Sequence, residues 1–170
     1  MTRKTWWDSL RWSEDMEIST ADRPDCQAGS ILVYDDDRLL LDVLVTMLRR
    51  QGYQVTATPS EQEAIALARA QPLDLAVVDL GRQRSKGYEL VGVVSATSPE
   101  TPIVAMSAYP AQEVVRFARE HARAFLEKPF SLAELVDVVR CILAQGQRAT
   151  ETVWADSTAG PGVRVRAVGS

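Results

Sequence analysis

The chain has 170 residues, enough for one domain with appendages, and its 46% hydrophobic content is ordinary for a protein that buries a core. A formal net charge of -4 argues against an electrostatic grip on nucleic acid, so no direct nucleic-acid contact is expected. No apolar stretch approaches the length of a membrane span and no secretory leader is visible, which leaves a cytoplasmic location as the expectation.

The first thirty or so residues are polar and irregular, and residues 1–29 are expected to form a flexible, Trp-containing extension. Trp6, Trp7, Leu10 and Trp12 cluster there, and on a helix Trp6 and Leu10 would share a face. Disorder, self-packing and partner docking are all compatible with that segment. Cys26 and Cys141 lie far apart without metal-type spacing and read as reduced thiols.

The ordered pattern begins at Ser30. Ile31 to Tyr34 reads as a buried strand. Leu39 to Gln51 reads as a helix, with Leu40, Val43, Leu44, Met47 and Leu48 at helical spacing and Gly52 as its stop. Gln54 to Ala57 is a short strand. Thr58-Pro59-Ser60-Glu61 then offers Thr58 as an N-cap, a proline at the first helical position and a glutamate three residues after the cap. The helix it opens carries Ile65, Leu67 and Ala68. Leu75 to Asp79 is the third strand and Tyr88 to Ala96 the third helix. Ile103 to Met106 is the fourth strand, with Pro110 opening the fourth helix. Ala124 to Glu127 is the fifth strand. Ser131-Leu132-Ala133-Glu134 is a capping box before a helix that turns Leu135, Val138, Val139 and Ile142 inward. After about Gln145 the composition shifts to Gly, Ala, Thr and Ser. Residues 146–170 are expected to be a flexible tail, although Val163-Arg164-Val165-Arg166 alternates like a strand. Apolar strands joined by helices indicate a doubly wound α/β fold with a parallel sheet.

The polar residues that matter stand where those strands stop. Asp35, Asp36 and Asp37 follow the first strand, Asp79 closes the third, and Lys128 follows the fifth. In a parallel α/β sheet these stops lie at the carboxyl edge, where ligands bind. Carboxylates gathered at one edge repel, so they call for a shared cation. A hard ion such as Mg2+, bound through carboxylates, waters and phosphate oxygens, suits them, and a nearby lysine supplies a point charge for phosphate.

Residues from about Ser30 to Ala144 resemble a receiver domain of the two-component response-regulator family. The matching pieces are Ile31 to Asp37, Val77-Val78-Asp79, Ile103 to Ala108 and Phe125-Leu126-Glu127-Lys128-Pro129-Phe130. Gly87, eight residues after Asp79, also matches. The resemblance implies a flavodoxin-like five-stranded parallel sheet in order 2-1-3-4-5 over residues 30–145. It implies Asp79 as the phosphoacceptor for a histidine kinase or phosphotransfer protein. Asp35 and Asp36 would hold Mg2+ with Asp79 and the Gly81 carbonyl. Lys128 and Ser107 would contact the phosphoryl group, Ser107 and Phe125 would act as switch residues, and Lys128-Pro129 would be a cis peptide. Such a protein is not an enzyme beyond its own phosphorylation and dephosphorylation. It would signal to a downstream protein target or act within a phosphorelay, with a homodimer as an open option.

Some positions depart from the family pattern. Gln83 stands where proline is usual, within the basic loop Gly81 to Lys86. The stretch from Ser107 to Lys128 is about one residue short, and His121 replaces a glycine. Tyr109 stands where the family influences how fast the acyl phosphate hydrolyses. Plainer readings compete. Asp37 caps the first helix, Ser107 satisfies strand-end backbone, Phe125 is packed core, and His121 is structural or solvent-facing. The short, polar span after Cys141 suggests a free-standing receiver without an output module. Two other functions compete with this one. One is a pseudo-receiver that binds partners without phosphorylation. The other is a haloacid-dehalogenase-type phosphatase with Asp35 as nucleophile and Asp37 as general acid, which leaves Asp79 unexplained.

Overall fold

The computed structural model describes residues 29–81, 86–145, 152–155 and 163–166. The Trp-containing segment, Cys26 and residues 82–85 lie outside them.

Strands β1 (Ser30–Tyr34), β2 (Gln54–Thr58), β3 (Leu75–Asp79), β4 (Ile103–Ser107) and β5 (Ala124–Glu127) alternate with helices α1 (Arg38–Arg50), α2 (Glu61–Ala70), α3 (Tyr88–Thr97), α4 (Gln112–His121) and α5 (Leu132–Gln145). The five strands form one parallel sheet in the order β2-β1-β3-β4-β5. The doubly wound flavodoxin-like arrangement is therefore the observed one.

Strand period two divides the core between the faces. Ile31, Val33, Leu75, Val77, Val104 and Met106 pack against α1 and α5, where Leu44, Leu48, Leu135 and Val139 are fully buried. Leu32, Tyr34, Ala76, Val78 and Ala105 turn the other way, toward α2, α3 and α4. Both faces are covered, so the strands read as nearly continuous apolar runs.

Three local expectations shift. In α1 the inward stripe is Leu41, Leu44 and Leu48, while Val43 is exposed. The Asp37 side chain accepts from the N–H groups of Leu39 and Leu40, starting the helix at Arg38 and setting its phase. Before α2 the N-cap is Ser60 rather than Thr58: Ser60 Oγ accepts from the Glu63 N–H at 3.3 Å. Thr58 is consumed as the last residue of β2, paired with Tyr34, and its hydroxyl donates to Glu63. The α4 N-cap is Ala111, without a side-chain cap bond, one residue beyond Pro110. The α5 capping box is reciprocal, with Ser131 N–H donating to Glu134 Oε2 at 2.7 Å and Glu134 N–H to Ser131 Oγ at 3.2 Å.

Within the segment expected to be a tail, β6 (Thr152–Ala155) and β7 (Val163–Arg166) pair antiparallel, with Val153 opposite Val165. The alternation at Val163 to Arg166 thus finds a strand partner, and β6 runs close to the edge strand β5. Among the described residues no helix is long and apolar enough to cross a membrane.

Candidate functional site

The order of the strands reverses between β1 and β3, and the crevice beyond their carboxyl ends is where such sheets bind ligands. Asp35 and Asp36 leave β1 there and Asp79 ends β3 beside them. Asp35 is fully buried; its Oδ1 accepts from the Asp37 N–H at 2.9 Å and its Oδ2 from Lys128 Nζ at 2.5 Å. Asp79 is 8% exposed, and its Oδ1 accepts from the same Nζ at 2.6 Å. One carboxylate oxygen from each of Asp35, Asp36 and Asp79 lies within 4.8 Å of the others. Asp36, more exposed, forms an ion pair with Lys86.

The electrostatics follow from that crowding. Burial pushes the Asp79 carboxyl above its ordinary value, and the neighbouring Asp35 and Asp36 carboxylates add to the rise, against the opposing pull of Lys128. For Lys128, burial works against the ammonium, but hydrogen bonds to Asp35 and Asp79 outweigh it and hold the pKa above the usual lysine value. The hydrogen bond from Lys86 lowers Asp36. Tyr34, at the end of β1, is pushed up to about 12 by burial and by the surrounding carboxylates. Among the described residues, three carboxylates thus face two ammonium groups, leaving an excess of negative charge. A set of hard oxygen donors with that excess fits a hard divalent cation such as Mg2+.

Comparison with protein families matches residues 31–140 to the response regulator receiver domain. The chain belongs to the response regulator receiver family. Among curated relatives, the transcriptional regulatory protein PdtaR of Mycobacterium tuberculosis is 30% identical over 122 residues, 71% of this chain and 59% of that protein. The probable transcriptional regulatory protein TcrX of the same organism is 31% identical over 139 residues, 81% of this chain and 57% of that one. The chain thus spans less than two thirds of these relatives. The solved response regulator receiver protein from Sinorhizobium medicae is 30% identical with a TM-score of 0.63, covering 71% of this chain and 98% of that one. A CheY-like receiver domain from Methanospirillum hungatei shares the fold, with a TM-score of 0.67 at 24% identity over 71% of this chain and 97% of that one.

The receiver frame gives meaning to the remaining residues. Gly87 caps α3 with φ +80°, and a Cβ there would sit 2.0 Å from the Asp79 carbonyl oxygen, so the position tolerates only glycine. Lys128-Pro129 is cis. Gly81 follows Leu80 at the end of β3, and its N–H donates to the Lys86 carbonyl at 3.1 Å, closing the loop at its base. Ser107 is buried at the end of β4, but its hydroxyl donates to the Leu80 carbonyl at 2.7 Å and accepts from the Tyr109 N–H at 3.1 Å. Its observed bonds are thus to backbone. Phe125 is 4% exposed and packed into the core on the α4 side, so its ring already points inward. His121 packs at a tilt against Phe117 of its own helix, ring centroids 4.5 Å apart.

Asp37, which the phosphatase reading cast as general acid, is engaged as the α1 cap. Lys86 also borders the site, and its signal in the sequence is membership of the basic loop after Asp79.

Proposed function

We propose that this receiver takes a phosphoryl group from the phosphohistidine of a histidine kinase or phosphotransfer protein onto Asp79. The observation that carries the proposal is the single ammonium of Lys128 bridging Asp35 and Asp79, with the Asp36 carboxylate alongside. Asp35, Asp36, Asp79 and the backbone carbonyl of Gly81 would hold Mg2+. When bound, the ion would neutralise charge on the oxygens of the transferring group.

An Asp79 carboxylate oxygen attacks phosphorus in line. The new O–P bond forms as the P–N bond to the partner's imidazole breaks, and the electron pair leaves with the ring nitrogen. Asp79 needs no base, because a carboxylate is already a nucleophile. Lys128 exchanges one of its carboxylate contacts for a phosphoryl oxygen and holds positive charge where negative charge builds. Ser107 reaches the product by rotating its hydroxyl away from the Leu80 carbonyl, only one residue beyond Asp79. That exchange links the phosphoryl group to the end of β4 and, through Phe125 on the paired β5, to the surface around α4 and α5. A downstream protein, or a second copy of the chain, would read that surface. The chain thereby serves as a signal output or as a phosphorelay intermediate.

The test is intact-mass measurement after treatment with acetyl phosphate and Mg2+. Wild type gains one phosphoryl group and Asp79→Asn gains none. A label retained in Asp79→Asn but lost in Asp35→Asn would favour the phosphatase chemistry. No label on wild type would favour a pseudo-receiver.

A further inference from the structure

Lys86 lies seven residues after Asp79 on the loop that leads from β3 to α3, and its ammonium pairs with Asp36 at the rim of the acidic hollow. Its backbone is held on its C-terminal side. The Lys86 carbonyl accepts from the Gly81 N–H, and Gly87, the next residue, packs directly on the Asp79 carbonyl in a left-handed conformation. Lys86 is therefore a tethered cation at a set distance from the hollow, whatever path residues 82–85 take.

Charge counting gives it a role. Among the described residues, and without a metal ion, three carboxylates face the ammonium groups of Lys128 and Lys86. Adding a divalent cation while both lysines stay would turn the excess positive. Releasing one lysine would leave the hollow neutral. Lys128 is half-buried and holds two carboxylates, whereas Lys86 is exposed and holds one, itself a candidate metal ligand. A lysine ammonium on a flexible stem withdraws into water readily. Lys86 is the one that yields.

We propose that Lys86 is a built-in counter-cation of the metal hollow: its ammonium occupies Asp36 until a divalent ion arrives, and it must leave for that ion to bind. This inference rests on the metal site described under Proposed function and adds a competitor that regulates it. The loop that would give the ion a carbonyl ligand at Gly81 thus ends in the group that opposes its entry. Mg2+ affinity is held down as a result, and loading of the hollow releases the Lys86 ammonium to solvent.

Isothermal titration calorimetry of the full chain with magnesium chloride at fixed ionic strength tests this. The thermal midpoint against Mg2+ concentration provides a second readout. Lys86→Gln should tighten the Mg2+ Kd by about two- to fivefold, the range an exposed ion pair supports. In an Asp36→Asn background the same substitution should change the Kd by less than about twofold, because the paired carboxylate is gone. Equal affinities for wild type and Lys86→Gln would overturn the counter-cation role and leave the metal site standing. An equal gain in both backgrounds would also overturn it, by showing only a diffuse field. No Mg2+ response from any variant by either readout would overturn the metal site itself, and this inference with it.

Discussion

The α-carbon of Gly87 lies against the backbone carbonyl of Asp79, so close that an added Cβ would meet the oxygen at 2.0 Å. The first residue of the turn into α3 is thereby stacked on the residue proposed to carry the phosphoryl group. Two penalties combine in Gly87→Ala: a steric clash with backbone and a left-handed φ of +80°. The left-handed strain alone costs about 1–3 kcal/mol, and relief of the clash must displace the end of β3. Urea denaturation of Gly87→Ala should show at least that loss, together with impaired labelling by acetyl phosphate.

Lys128 relieves repulsion between two buried carboxylates. Lys128→Met leaves Asp35 and Asp79 facing each other without a cation, which should lower stability by about 1–3 kcal/mol, less than for a fully buried pair because the lysine is partly exposed. Mg2+ should restore more of the lost stability in the variant than it adds to wild type. Urea midpoints with and without the ion measure this.

The raised pKa of Asp79 makes a signed prediction about pH. The folded state holds that proton more tightly than the unfolded chain, so this group's contribution favours folding at low pH. It is lost as pH rises through the window that opens at the ordinary value of 3.8 and closes at the higher folded-state value. The depressed pKa of Asp36 works in the opposite sense. The informative quantity is therefore the difference between wild type and Asp79→Asn, which mimics the protonated form. Asp79→Asn should be the more stable protein at neutral pH without metal, with an advantage that shrinks on acidification. Denaturant melts across the acid range check the sign.

Tyr109 is half-exposed, and its N–H is held by the Ser107 hydroxyl. A turn of that hydroxyl toward a phosphoryl group alters a contact made by the Tyr109 backbone, which couples this residue to the moving part of the site. The ring is expected to screen the in-line water, so Tyr109→Ala should lose its acyl phosphate several times faster than wild type. Equal decay of the two phosphoproteins would remove the idea.

The parts of this molecule most legible in its sequence are those where two independent patterns coincide. Asp35, Asp79 and Lys128 each end an apolar run, and strand order alone brings those ends together. Helix phase is ambiguous where one pattern allows two answers. Leu39-Leu40-Leu41 supports several inward stripes, and in the helix that the Asp37 cap opens the one through Leu41 packs on the sheet. Thr58 and Ser60 each precede a glutamate by three residues, and pairing of Thr58 with Tyr34 leaves Ser60 as the cap. Rotamers were not legible at all: the Ser107 hydroxyl faces the Leu80 carbonyl because a buried donor needs a partner, whichever role it later takes. The Lys86–Asp36 pair spans fifty residues of chain, and nothing local to either residue announces the other.

The most direct measurement is to locate the acyl phosphate. The phosphorylated chain is reduced with borohydride, which converts a phosphorylated aspartate to homoserine, then digested and sequenced by mass spectrometry. Conversion at position 79, and loss of that signal when Mg2+ is chelated beforehand, is the predicted result. Conversion at Asp35, or at any residue outside the hollow where Lys128 bridges two carboxylates, would contradict the account.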